Sequence, residues 1–97
     1  MARYDLYQID SGYVIDLQND LVDIPGSRIV APVVALRNVP APIKGLHPRV
    51  SIDGEPYLIA MHLLAAAPTS LLKTPLANYL ADGADITRGL DILFQGY

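Results

Sequence analysis

Ninety-seven residues and 10.5 kDa bound the chain at one domain, residues 1–97, since domains typically hold about 100–150 residues. Hydrophobic residues make up 52%, charged residues 18%, and mean hydropathy is +0.29, which is too apolar for a disordered chain and implies surface hidden against a partner, a second copy included. Seven basic against ten acidic residues give a net charge of −3 and a pI near 5.0, which counts against reading nucleic acid alone, and the lack of cysteine excludes disulfides, thiolate catalysis and cysteine-based metal sites.

The opening ten residues interrupt every apolar pair with polar groups and hold no signal-peptide core. The most apolar stretch, 58–67, contains His62 and is closed by Pro68, well short of the roughly 20 residues a membrane helix needs. A soluble, cytoplasmic protein without membrane contact is expected.

Residues 4–9 and 13–17 are predicted strands joined by Asp10-Ser11-Gly12, with glycine available for positive φ. Tyr13, Ile15 and Leu17 share one face of the second strand. Ile24-Pro25-Gly26-Ser27 has the pattern of a type II turn, with glycine at the left-handed corner. A β-branched strand follows over 28–36, where Pro32 implies an edge or a bulge. Residues 38–45 hold two prolines and are expected as loop.

Val50 and Ile52 then alternate with Arg49 and Ser51, and Asp53-Gly54 is a type I′ hairpin signal. The return strand is expected to run from Tyr57 to about Ala66, with Ile59, Met61, Leu63 and Ala65 on its apolar face and His62 opposite. About five strands, mostly antiparallel, are expected, because the links are too short for parallel crossovers. Thr74-Pro75 predicts a short helix over 75–81. Asp82 or Asp85 caps a longer helix whose apolar stripe is Ile86, Leu90, Leu93, Phe94 and Tyr97, with Gly96 letting the backbone leave it. Gly89 weakens that helix by about 1 kcal/mol relative to alanine, so it depends on tertiary packing.

Little in this pattern points to catalysis. His47 and His62 lie on different predicted strands with no further ligand nearby, so neither metal nor cofactor is expected. The serines lack a nucleophile-elbow pattern, and no phosphate-binding glycine loop is present. Asp16, Asp20 and Asp23 have the look of a solvated acidic turn, yet Leu21 and Val22 sit among them where a loop is ordinarily polar. An apolar pair flanked by charge marks a contact surface, and so does Phe94-Gln95-Gly96-Tyr97 if it does not pack on its own domain.

The segment Asp16-Leu17-Gln18-Asn19-Asp20-Leu21-Val22-Asp23-Ile24-Pro25-Gly26-Ser27-Arg28-Ile29-Val30 resembles the signature of the CcdB family of bacterial toxins. There an Asp-x-Gln-x-Asp stretch leads through two aliphatics to Asp-x-Pro-Gly-x-Arg and an apolar strand. The resemblance continues through His47-Pro48-Arg49-Val50-Ser51-Ile52-Asp53-Gly54-Glu55 and ends on a helix that the family follows with Phe-Trp-Gly-Ile. It implies a mainly β (α+β) fold, an SH3-like antiparallel barrel with a small extra sheet and a C-terminal α-helix, assembled as a homodimer. It also implies a toxin of a type II toxin–antitoxin module that binds the gyrase A protein of DNA gyrase and traps the cleavage complex. A cognate CcdA-like antitoxin neutralises such a toxin and joins it in operon autorepression, so DNA is met only through the antitoxin.

Carried over by motif, the gyrase-binding residues are Leu21, Val22, Asp91, Phe94, Gln95, Gly96 and Tyr97. Three positions depart from the family: Asp91 replaces asparagine, Gln95 replaces the tryptophan central to gyrase contact, and Tyr97 replaces isoleucine. Loss of a buried aromatic anchor typically costs about 2–4 kcal/mol in binding, which makes an attenuated homologue that still binds antitoxin and corepresses the second expectation. Tyr97 offers a substitute cation–π partner. A messenger-RNA-cleaving toxin on a similar barrel is the third, and the negative charge counts against it.

Overall fold

The computed structural model describes residues 1–96, in which seven strands and one α-helix form (β1, Asp5–Ile9; β2, Gly12–Asp16; β3, Ser27–Ala35; β4, Arg49–Ile52; β5, Glu55–Ile59; β6, Ala65–Pro68; β7, Ala77–Asn78; α1, Gly83–Gln95). The strands make one curled antiparallel sheet in the order β4-β5-β3-β2-β1-β7, and β6 pairs with β3 off that path. The mainly β class with a barrel-like curl and a C-terminal helix is as expected. The small extra sheet is realised as the β3–β6 branch, and the strands number seven rather than five.

Both faces of the β1–β3 layer are buried. Leu6, Ile15, Ala31 and Val33 point into the main core with Val50, Ile59, Met61 and Ile86. The alternate residues Tyr7, Val30 and Val14 pack with Ala67 and Leu72 on the other side. The turn chemistry follows the sequence, with Gly26 at φ +90° and Asp53-Gly54 at +51° and +80°. In the first hairpin, however, the left-handed residue is Asp10 at φ +54° rather than Gly12. A short aspartate tolerates that region.

Three predicted elements differ. The expected return strand over 57–66 breaks at Ala60, passes through a 3₁₀ turn at Met61–Leu63, and resumes as β6. Pro32 explains the break. Ile59 pairs with Val33 and Ala65 with Val30, and between them the Pro32 carbonyl accepts from the Ala60 N–H at 2.8 Å. Proline has no N–H to return, so the ladder cannot run through it. Met61 is therefore fully buried while Leu63 and Ala65, expected on its face, are exposed.

The predicted helix over 75–81 is absent. Leu76 N–H donates to Leu6 O at 2.8 Å, and β7 pairs along the outer edge of β1. A seven-residue helix is marginal alone, and the unpaired strand edge offers the backbone better partners. Asp82 occupies the N-cap position of α1 but makes no side-chain cap hydrogen bond.

Phe94, assigned to the apolar stripe, lies outside it. The buried residues of α1 are Gly83, Ile86 and Gly89, with Leu90 and Leu93 partly covered. Position 94 falls about 80° round the helix from Ile86 and faces water. Tyr97, the last residue of that stripe, lies outside the described residues. Gly96 ends the helix as expected, at φ +84°, with its N–H on Ile92 O at 3.0 Å.

The weakness at Gly89 has a packing cause. A Cβ there would stand 3.1 Å from Pro48 Cγ, 3.2 Å from Met61 Cγ and 3.3 Å from Gly45 O. The helix gives up propensity so that its backbone can approach the 3₁₀ turn and the loop before β4. Substitution Gly89→Val is expected to destabilise the protein by about 1–3 kcal/mol through overpacking, measured by urea unfolding. An unchanged or raised midpoint would contradict the close approach.

Candidate functional site

The connection between β2 and β3, residues 17–26, is organised from below by its own signature motif. Arg28 on β3 donates from Nε to Asp16 Oδ2 at 2.8 Å and from Nη2 to Asp16 Oδ1 at 3.1 Å. The same Nη2 reaches Gln18 O at 3.1 Å and Asp20 Oδ1 at 3.3 Å. Asp16 Oδ1 also accepts from the Gln18 N–H at 2.9 Å. The hydrogen bonds of Asp16 hold the Arg28 guanidinium protonated more firmly than usual, against the pull of burial. Tyr7 lies beside this cluster with its hydroxyl on Asp5 Oδ2 at 3.4 Å. Burial, then the charges of Asp5 and Asp16, push its phenol up to about 12.

Gln18 spans the loop. Its side-chain amide donates to Val22 O at 2.5 Å, and its Oε1 accepts from Ile29 N–H at 3.1 Å. Asn19 folds the tip, accepting Leu21 N–H on Oδ1 and Val22 N–H on its carbonyl, both at 2.9 Å. The outcome is a fixed loop with apolar side chains turned outward: Leu21 is 93% exposed and Val22 48%. Ile24, which is not among the expected contact residues, stands exposed beside them.

Asp16 departs from the expected solvated turn. Its side chain has 0% exposure, whereas Asp20 is 58% exposed and Asp23 is also exposed. Asp16 ends β2 and Arg28 stands on β3, the strand paired with it, a contact between strands that the run of acidic residues does not reveal. Gln18 of the same signature turns out to be a brace for Val22 and Ile29.

The second group of expected site residues lies at the end of α1. Asp91 and Gln95 are exposed, Phe94 is 70% exposed, and Gly96 forms the cap. No packed cluster, hydrogen bond or ion pair among the described residues joins this group to Leu21 and Val22. Tyr97 completes the expected set outside the described residues.

The family model described as CcdB protein matches residues 3–96. The chain belongs to the CcdB family. Members are toxins of type II toxin–antitoxin modules, and the match takes in both the braced loop and the helix end.

The two histidines, expected apart, meet. His47 Nδ1 accepts from the Ile43 N–H at 2.8 Å, which assigns its proton to Nε2, and Nε2 donates to His62 Nδ1 at 3.1 Å. Strand periodicity alone holds them apart, whereas the folded chain leaves β5 at Ala60 and turns His62 back toward the loop before β4. Among the described residues no group of three or more His, Cys, Asp or Glu gathers around them or elsewhere. Burial first, and the charge of His62 second, pull His47 below its usual 6.5.

Two outcomes follow from these contacts. Asp16→Ala, which strands a buried guanidinium, is expected to cost about 3–5 kcal/mol of stability, and Asp20→Ala less than about 1 kcal/mol, by chemical unfolding. Equal effects would contradict the assignment of the brace to Asp16. The neutral imidazole at His47 favours folding above pH 6.5, and that contribution is lost as pH falls through the lowered value in the folded state. The melting temperature should therefore drop below about pH 6.5, and His47→Asn, which keeps an acceptor for Ile43 without titrating, should flatten the drop. A variant with the same pH dependence as the parent would count against this account.

Proposed function

We propose that this chain is a single toxin domain that binds the gyrase A protein as a homodimer and traps the cleaved gyrase–DNA complex. A cognate CcdA-like antitoxin frees gyrase and, together with the toxin, represses their operon in the cytoplasm. The mechanism is protein–protein binding rather than catalysis, and DNA is contacted only through the antitoxin. The observation that carries the proposal is the exposure of large apolar side chains on rigid supports, Leu21 and Val22 on a hydrogen-bonded loop and Phe94 on the last turn of α1.

Exposed leucine and phenylalanine gain about 1.5–3 kcal/mol each when fully buried, and fixing them beforehand lowers the entropy lost on binding. The gyrase-binding set on this reading is Leu21, Val22, Asp91, Phe94, Gln95, Gly96 and Tyr97. A homodimer would present two copies of each group.

The second reading is favoured by Gln95. With no indole at this position, the helix end offers Phe94 as its large exposed aromatic. On that reading the chain keeps antitoxin binding and corepression and poisons gyrase weakly.

The test is a DNA-cleavage assay with gyrase from the native host. The toxin reading expects linear DNA to accumulate with excess protein, and Phe94→Ala to weaken the effect by about 30-fold or more, equivalent to about 2 kcal/mol. Gln95→Trp separates the readings, since a large gain of cleavage trapping assigns the natural chain to the attenuated class. No trapping by either the parent or Gln95→Trp would overturn the gyrase proposal.

A further inference from the structure

The sheet curls until its two edge strands come near each other without pairing. β4 and β7 end the strand order, and the hydroxyl of Tyr79, the residue after β7, donates to Ser51 O on β4 at 2.6 Å. Beside that bond lies a cavity of about 260 Å³ at the mouth of the barrel. The buried Leu6 and Ile52 line it, Tyr13 and Tyr79 contribute two phenol rings, and the exposed Asp53 and Leu76 stand at its rim. Ligand sites collect at the mouths of β-barrels, where apolar walls meet a few polar groups.

The walls of this cavity are set in advance. Ser51 O holds the Tyr79 ring, and Tyr13 packs edge-on with Tyr57, ring centres 5.7 Å apart at 86°. Asp53 is fixed by its left-handed place in the tight turn, at φ +51°. The charge here has one sign. No lysine, arginine or histidine lines the cavity, and Asp53 has no ion-pair partner among the described residues. Asp82 stands close by, its N–H donating to Tyr79 O at 2.9 Å, and its exposed carboxylate likewise has no ion pair among the described residues. Burial first, then the charges of Asp82 and Asp53, raise the Tyr79 phenol above its usual range.

We propose that this cavity binds a small molecule carrying a quaternary ammonium head group, received by the phenol rings of Tyr13 and Tyr79 and the carboxylate of Asp53. A cation answers the single sign of charge, and aromatic rings attract it beyond what they offer a neutral ligand of the same shape. A primary ammonium or a guanidinium is a poorer match. It brings three or five N–H donors that need acceptors, whereas Asp53 is the one carboxylate on the lining and a quaternary head needs none. The volume sets the size of the ligand: sites for drug-sized molecules run to about 300–1,000 Å³, so this one suits a head group with a short chain. None of Leu21, Val22 or Phe94 lines the cavity, so the proposal stands independently of the gyrase reading.

Titration of the full chain with choline, followed through its amide NMR signals, tests the proposal against dimethylbutanol, the uncharged molecule of the same shape. Choline should shift the signals of Tyr13, Asp53 and Tyr79 saturably, with a dissociation constant on the order of 1–10 mM, and the alcohol should bind at least about fivefold more weakly. Asp53→Asn removes the charge and keeps a residue that tolerates the left-handed turn, and Tyr13→Leu removes one ring; each should lose about fivefold. Asp23→Asn, outside the cavity, should leave binding unchanged. The same spectra check that the variants fold, and Asp53→Asn decides alone if Tyr13→Leu does not. No saturable shift, equal binding of choline and the alcohol, full affinity in Asp53→Asn, an equal loss with Asp23→Asn, or tighter binding of methylguanidinium would each overturn the proposal. So would a trimethyllysine peptide binding more than about tenfold tighter than choline, which would assign the cavity to a partner protein instead.

Discussion

The Arg28 side chain reaches from β3 to Asp16 on β2 and closes two hydrogen bonds on a carboxylate without exposure to water. Buried ions are costly unless their remaining donors and acceptors are also used, and here Gln18 and Asp20 use them. Because those partners belong to the loop, satisfying the ion pair and ordering residues 17–26 are one event. The outward stance of Leu21 and Val22 depends on a charge pair they never touch. Gln18 extends the brace to Val22 O and Ile29 N–H, so the loop is tied to β3 at its far side too.

The same economy of backbone governs the other end of the molecule. Gly83 lies so close to Tyr4 that a Cβ would stand 3.0 Å from its ring, and Gly89 meets Pro48 and Met61 at similar range. The helix is drawn onto the sheet by glycines along one face, with Ile86 fully buried between them. That contact fixes the rotation of α1 and thereby turns Phe94 to solvent. A helix rotated to bury Phe94 would have to withdraw Gly89 from the 3₁₀ turn beneath it. Loop and helix thus each leave large apolar side chains in water, Leu21 and Val22 on the one and Phe94 on the other.

Much of the fold was legible because it is written in local rules. The Asp53-Gly54 turn, the Pro25-Gly26 corner and the alternation of Val50 with Ile52 each follow from one or two residues and came out as expected. The misses are places where a distant partner overrode a local preference. Thr74-Pro75 favours a helix start, but the open edge of β1 captured the segment. The apolar run through Met61 and Leu63 has strand periodicity, but Pro32, some thirty residues earlier, interrupts the ladder it would join. At the candidate site, the exposure of Leu21 and Val22 was readable from their acidic neighbours. The burial of Asp16 was not, because it depends on Arg28 arriving from another strand. Nor was the meeting of His47 with His62, which the break at Ala60 brings about.

The central claim is that binding depends on apolar side chains held in place from behind, and titration calorimetry of this protein with the gyrase A protein of its native host tests it most directly. Gln18→Ala removes the side-chain ties to Val22 O and Ile29 N–H while leaving Leu21, Val22 and Phe94 unaltered in chemistry. The account predicts that the parent binds, and that Gln18→Ala weakens binding about as much as Leu21→Ala while remaining folded. A parent that does not bind, or a Gln18→Ala variant that binds as tightly as the parent, would contradict it.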